Sequence, residues 1–455
     1  MTAAIFAEQA LLPDGWHADV RLTFGQGKIV AVQPGTRAVA GDERHAAVLP
    51  GMPNLHSHAF QRGMAGLAEV RGSAVDSFWT WREVMYRFAL TMTPDDVEAV
   101  AAQLYVEMLE AGFTRIGEFH YLHHDRDGRP YADLAEMAGR IAAAAATAGI
   151  GLTLLPVFYA HAGFGGTPPA AEQRRFICDL DGFADLFERC KRLVAGLPGA
   201  AVGVAPHSLR AVTPHELAAV AAVAGGHLCH IHAAEQVKEV EDCLAWSGAR
   251  PVEWLLGETG LGPRWCLIHA THMTEAETAG LATSGAVAGL CPVTEGNLGD
   301  GIFPAAGFIA GGGRIGIGSD SNVLIGIGGE LRQLEYAQRL RHRERNVLAQ
   351  AGGSTGRALY DAVLAGGAQA LGAPAGGIAA GAPADLVSLD TAAPGAAGRA
   401  GDSLLDSFIF AGTVGVDCVW VGGRKQVEGG RHPARDAVGA AFRGAMTRLA
   451  GEFRA

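Results

Sequence analysis

Short apolar runs recur along the chain, and each gives way to polar or small residues before a helical period of hydrophobic positions sets in. The first, Ala46 to Leu49, leads into "MPNLHSHAFQRG" (52–63). It is followed by "FTRIGEFHYLHHD" (113–125), "GLTLLPVFYAHAG" (151–163), "AVGVAPHSLRAV" (201–212) and "HLCHIHAAE" (227–235). "WCLIHATHM" (265–273), "AVAGLCPVTEGN" (286–297) and "RIGIGSDSN" (314–322) complete a set of eight. Several intervening segments carry helix start signals. "TPDD" from Thr93 and "TPHE" from Thr213 each supply an N-cap, a Pro at the first helical position and an acid at the third, and "TEAE" from Thr274 is a similar box. Gly112 closes the first of these helices. Eight strands alternating with helices predict an α/β fold, a (β/α)8 TIM-type barrel over residues 49–375. A doubly wound sheet is the competitor, and it usually has fewer strands.

The two ends differ in texture from the middle. Residues 1–48 hold short strand-like segments between turns, as in "ADVRLTFGQGKIVAVQPG", and "GIAAGAPADLVSLD" and "VDCVWVGGRKQVEGG" repeat that texture beyond about residue 376. These ends, 1–48 and 376–455, are expected to pair into one small β-sandwich domain. The Ala- and Gly-rich stretch 391–403 reads as a loop. Ile141 to Ala160 is free of charge and 20 residues long, the length of a membrane span. Its first part is barely apolar and Gly149 and Gly151 interrupt it, so helix, turn and strand is the better reading.

Composition narrows the function classes. With 49% hydrophobic and 18% charged residues the 455-residue chain is globular, not disordered. A net charge of −11 and the lack of any sustained Lys/Arg run argue against a nucleic-acid surface. The seven cysteines are scattered, odd in number and contain no Cys-X-X-Cys pair, which fits reduced thiols in a cytosol. The N-terminal stretch lacks the basic region of a secretory signal, so a cytoplasmic location away from membranes is expected.

On a barrel of this kind chemistry sits at the C-terminal ends of the strands. Those ends carry His56 and His58 on the first strand, His232 on the fifth, His269 on the sixth and Asp320 on the eighth. A lone His-X-His pair among 17 histidines is a weak signal, and the weight comes from the set that the fold would converge. Three neutral imidazoles and a carboxylate suit Zn²⁺ or another borderline divalent ion. A fourth His, and Glu235 three residues after His232, add proton-transfer groups.

At this point the chain resembles a known family. "PNLHSHAFQRG", "HIHAAEQ", "LIHATH" and "GSDSN" are similar to motifs of the amidohydrolase superfamily, whose members combine this barrel with a small β-sandwich. The longer "SFWTWREVMYRF" and "GEFHYLHHD" resemble one branch, the iminohydrolases of histidine breakdown that act on formimidoylglutamate. Two-metal members usually use a carboxylated Lys on the fourth strand. Of the four lysines here, Lys28, Lys191, Lys238 and Lys425, none lies at that strand end, where His207 stands instead. The resemblance therefore implies one divalent ion per chain, taken as Zn²⁺ ahead of iron or manganese, on His56, His58, His232 and Asp320. It implies further that His269 and Asp320 orient the attacking water and that Glu235 passes a proton to the leaving nitrogen.

The resemblance also implies that Gln61, Arg82, Tyr121, His207 and Arg210 bind the substrate, a small dicarboxylate amidine for which Arg forks are the fitting partners. Trp79 and Trp81 read as core or pocket wall, and the crowded His120, His123 and His124 are not expected to form a second metal site. Two other readings stay open: a deaminase of a purine- or pyrimidine-type ring, which needs a stacking pocket without paired Arg clamps, and a scaffold homologue without catalysis. A homodimer is expected on general grounds for a large soluble enzyme.

Overall fold

The computed structural model describes residues 3–71, 77–374 and 376–454. Eight parallel strands follow one another in chain order: Met52–Ser57, Phe113–His120, Gly151–Phe158, Ala201–Pro206, Leu228–Ala233, Trp265–His269, Val287–Leu290 and Arg314–Ile317. The ring closes where Ser57 bridges Asp320 in parallel. The strands are buried almost throughout, as expected of a sheet covered by helices on its outer side. The capping boxes at Thr93, Thr213 and Thr274 all form, and the helices they start, Pro94–Glu110, Pro214–Ala224 and Glu275–Ser284, belong to that outer layer. The uncharged stretch 141–160 resolves into the end of helix Glu136–Ala148, a left-handed Gly149 and strand Gly151–Phe158.

Glycine explains how the barrel interior is filled. Leu55 lies inside with Cys266, Ile268, Val287 and Leu371. A Cβ on Gly117 would sit 2.3 Å from the Leu55 carbonyl oxygen, and one on Gly316 2.3 Å from Leu55 Cδ2. Bare backbone at these two strand positions makes room for the leucine.

A second sheet of seven strands is built from both chain ends. Its order runs Arg424–Val427, Val416–Val421, Leu386–Leu389, Glu43–Pro50, Ala3–Leu12, Gly15–Gly25 and Lys28–Gln33. All neighbours are antiparallel except Ala3–Leu12 against Glu43–Pro50. Ile5, Val20, Leu22, Phe24, Leu386 and Trp420 form its own core, giving a sandwich-like unit beside the barrel.

The structure corrects the sequence reading of the run Ala46–Leu49, which is not the first barrel strand. Val48 pairs with Ala10 and with Ser388, inside the sheet of the chain ends. The chain leaves that sheet at Pro50 and Gly51, and the barrel strand starts afresh at Met52. Gly51 allows the crossing, since a Cβ there would lie 2.3 Å from Thr114 Cγ2. The C-terminal helix Arg435–Arg454 lies against the barrel helix Pro94–Glu110, with Arg448 paired to Asp96 and Arg435 to Glu110.

Candidate metal centre and active site

The mouth of the barrel is drawn together by backbone first. Asp320 N–H donates to His56 C=O and His58 N–H donates to Asp320 C=O, each at 3.0 Å. Gly318 permits this approach, because a Cβ there would meet the His56 oxygen at 2.7 Å. Several residues at the strand ends take left-handed backbone without being glycine: Ala234, His269, Ala270, Asp320 and Asn322. Such strain persists where surrounding bonds over-determine it. Here Asn322 donates to Ser57 Oγ and to His58 C=O while accepting from Ser319 Oγ, and Asn54 donates to Ser319.

The four residues expected to ligate a metal converge. One donor atom from each of His56, His58, His232 and Asp320 lies within 4.8 Å of all the others. His56 Nε2 and His58 Nε2 each stand 3.3 Å from Asp320 Oδ1, and His232 Nε2 is 3.1 Å from His56 Nε2. His58 Nδ1 donates to the Phe119 carbonyl and His232 Nδ1 to the His207 carbonyl. A carbonyl only accepts, so each of these Nε2 atoms presents a lone pair to the cluster. Burial disfavours the imidazolium forms, pushing His56 down to about 3 and His232 well below its ordinary value. Burial opposes charge on Asp320 too, but its bond to His56 and the fields of His56, His58 and His269 hold its carboxyl well below the usual carboxylate range. A buried cluster of neutral imidazole lone pairs and one carboxylate fits a divalent cation of nitrogen and oxygen preference.

The proton-transfer groups sit beside this cluster. His269 Nε2 lies 3.7 Å from both Asp320 Oδ2 and Glu235 Oε1. Its Nδ1 faces Glu295 Oε1 at 3.3 Å. Burial works against the His269 cation, yet the carboxylates of Glu235, Glu295 and Asp320 together raise it to about 10. Burial pushes the Glu235 carboxyl up to about 7, with His269 and Arg210 pulling the other way. Cys291 forms a second possible donor set with His269 and Asp320, but burial raises its thiol well above the ordinary value and so disfavours the thiolate. His123 and His124 donate their Nε2 protons to the carbonyls of Val157 and Ile177, a structural use of the crowded histidines.

A cavity of roughly 540 Å³, including its open mouth, lies over these groups. Gln61, Arg82, Tyr121, His207 and Arg210 all line it, together with His58, His232, Glu235, His269 and Asp320. Every residue singled out as a substrate binder therefore faces the same small space as the ligand cluster. Gln61 Nε2 donates to Tyr121 Oη at 2.8 Å. The Arg82 guanidinium lies over Trp79 and Tyr86, and that of Arg210 over Phe78 and Trp79. Arg210 also stands 3.8 Å from Glu235 and 3.9 Å from Glu239.

The sequence reading missed the aromatic lining of Phe78, Tyr86, Tyr159 and Phe176, and the buried acids around the site. Gln173 holds the Tyr86 and Tyr159 phenols by hydrogen bonds. Glu118 accepts from Ala59 N–H, directly after His58, and from Tyr105 Oη. Glu118, like Arg115, is a charged residue within an otherwise apolar strand, and that was the available signal for it.

A buried strand-end mouth with a candidate cation site, an imidazole and a carboxyl of shifted proton affinity is suited to hydrolysis. The chain belongs to the amidohydrolase family, whose sequence profile matches residues 47–425. The profile of the N-terminal domain of formimidoylglutamate deiminase HutF matches residues 2–46. The formimidoylglutamate deiminase of Pseudomonas aeruginosa is 54% identical, over 97% of this chain and 98% of its own length. A 5-methylthioadenosine/S-adenosylhomocysteine deaminase of Natronomonas pharaonis is 29% identical over 83% of this chain and 81% of its own length. Among solved structures, an amidohydrolase from Brucella melitensis superposes with a TM-score of 0.96 at 62% identity, covering 98% of this chain and 100% of that one.

Two predictions follow from the geometry. Elemental analysis is expected to find about one tightly held divalent ion per chain, and His232→Ala to lose it, because three ligands hold it poorly. Two ions per chain, or full retention by the variant, would contradict the four-ligand site. The second concerns Glu118, which burial raises to about 8. A carboxyl whose folded pKa is raised contributes stability that is complete below its unfolded value near 4.5 and is lost as pH rises through 8. The thermal midpoint of the wild type should therefore fall more steeply between pH 6 and pH 9 than that of Glu118→Gln. Parallel curves would show that Glu118 is ionised throughout.

Proposed function

We propose that this protein hydrolyses N-formimidoyl-L-glutamate to N-formyl-L-glutamate and ammonia, a step of histidine degradation, as a formimidoylglutamate deiminase. The observation that carries the reading is the pair of guanidiniums, Arg82 and Arg210, on the walls of the cavity that also holds Glu235 and His269. Two fixed cations suit a dicarboxylate, and bidentate Arg contacts orient it as well as hold it. The likeness to the Pseudomonas aeruginosa enzyme over nearly the full chain supports the same substrate. A ring deaminase would find stacking surfaces in Phe78, Trp81 and Phe176, but its substrate would bring no carboxylate to either guanidinium.

The divalent ion would be held by His56, His58, His232 and Asp320, and when bound it supplies Lewis acidity that brings water within reach of deprotonation at neutral pH. The remaining chemistry belongs to side chains of the cavity. Asp320 and His269 orient the water, and the Asp320 carboxylate takes its proton, since the surrounding acids keep His269 in its charged form at neutral pH. Oxygen adds to the C=N carbon, and the nitrogen, gaining protons, becomes the leaving group. Glu235, whose proton affinity is raised by burial into the neutral range, donates to that nitrogen. The C–N bond breaks, ammonia leaves and the carbon keeps its oxygen as a formyl group. Gln61, Tyr121 and His207 complete the substrate contacts.

Zinc is the inferred occupant, since imidazole-rich sets of this composition suit it. Seven cysteines without a disulfide partner support a cytoplasmic location. Among the described residues no helix is long and apolar enough to cross a membrane. The assembly is taken to be a homodimer, the commonest state for such enzymes.

Glu235→Gln should retain its metal and lose about 10²-fold or more in kcat, the scale of a positioned general acid. A variant within a few-fold of wild type would assign the proton to another group. Arg82→Met and Arg210→Met should each cost roughly 10- to 150-fold in kcat/KM for formimidoylglutamate, the equivalent of about 1.5–3 kcal/mol per charged hydrogen-bonded contact. Each should cost much less on an analogue lacking the carboxylate that the arginine holds. Unchanged kcat/KM in both variants would leave a metal-dependent C–N hydrolase of another substrate.

A further inference from the structure

Glu239 is fully buried, yet it is neither a ligand of the cluster nor part of the cavity wall. It is the third residue of helix Val237–Ser247, where an acid ordinarily turns back onto the N-cap amide. Here the carboxylate reaches further back. Its Oε1 accepts from Ala234 N–H and its Oε2 from Glu235 N–H, each at 3.2 Å. Ala234 is one of the left-handed non-glycine residues, so these two bonds brace the strained turn that presents Glu235. The same Oε2 stands 3.9 Å from Arg210 Nη2, while Glu235 Oε2 stands 3.8 Å from that nitrogen. Among the described residues Arg210 Nε has no hydrogen-bond partner. The guanidinium is thus held between two acids by charge, with a donor left free.

We infer that Glu239 is a positioning residue that fixes Glu235 and Arg210 at once, tying recognition of a substrate carboxylate to placement of the proton donor. The inference rests on the reading of Arg210 as a carboxylate-binding group. A buried ion that lost its partner would be strongly unfavourable, so the Arg210–Glu239 pair stays together when an incoming carboxylate replaces Glu235 beside the guanidinium. That exchange leaves Glu235 free to face the leaving nitrogen, on a backbone that Glu239 keeps in place.

The test compares wild type, Glu239→Gln, Arg210→Met and the double variant for ammonia release from formimidoylglutamate, metal content, thermal midpoint and amide exchange at residues 234 and 235. Glutamine cannot accept both amide protons and carries no charge for Arg210. Glu239→Gln should therefore lower kcat and raise KM, each by about five-fold or more, at full metal content. Its effect on KM should shrink to within about two-fold when Arg210 is already methionine, because coupled partners are not additive. Exchange at the two amides should accelerate by about ten-fold or more as the brace is lost. Constants within two-fold of wild type with unchanged exchange would overturn the inference, and so would an equal KM effect in both backgrounds. Should Glu239→Gln fail to fold, the double variant, which leaves no unpaired buried charge, is set against Arg210→Met: a lower kcat supports the brace and an equal kcat overturns it. A wild type that releases no ammonia from formimidoylglutamate would remove the substrate reading by itself, and amide exchange would still judge the brace.

Discussion

The site depends on closure of the barrel between its last and first strands. Asp320 and the His56–His58 segment exchange backbone hydrogen bonds there, and the Asp320 carboxylate then meets both imidazoles. Burial keeps these imidazoles neutral, and hydrogen bonding and neighbouring charge keep the carboxylate ionised, which is the protonation state that a divalent cation requires. Gly318, Asn322 and Ser319 serve that closure, and the left-handed backbone at Asp320 is held by it.

Around this fixed point the mouth separates into two halves with different electrostatics. On one side Glu235, His269 and Glu295 share a buried space in which opposite charges raise the imidazole and burial raises the Glu235 carboxyl. On the other, Arg82 and Arg210 rest on aromatic faces, Trp79 lying under both guanidiniums. Aromatic support keeps a guanidinium in place without consuming the donors that a carboxylate needs. Arg210 belongs to both halves through its two acidic neighbours.

Much of this was legible in the sequence because barrel chemistry is placed by topology. Once eight strands are recognised, the residues at their C-terminal ends must share one mouth, and His56, His58, His232, His269 and Asp320 do so. The five residues expected to bind substrate were named through motif resemblance, and all five line one cavity. What escaped depended on contacts between distant segments. Ala46–Leu49 and Met52–Ser57 look like one apolar stretch until Pro50 and Gly51 are seen to pass between two sheets. Glu239 reads as an ordinary charged residue and Glu118 stands out only as a charge in an apolar strand, and nothing local reveals that Ala59, Tyr105 or Arg210 will be their partners. The C-terminal helix carries no signal of the barrel helix against which it lies.

The central claim is that this mouth recognises a dicarboxylate amidine and not a ring. The most direct measurement is kcat/KM for ammonia release by the metal-loaded wild type, with formimidoylglutamate and 5-methylthioadenosine compared under one set of conditions. Two charge-assisted Arg contacts, each contributing about 1.5–3 kcal/mol, predict a preference for formimidoylglutamate of at least about 10²-fold. Equal turnover of the two, or faster release from the nucleoside, would contradict the account.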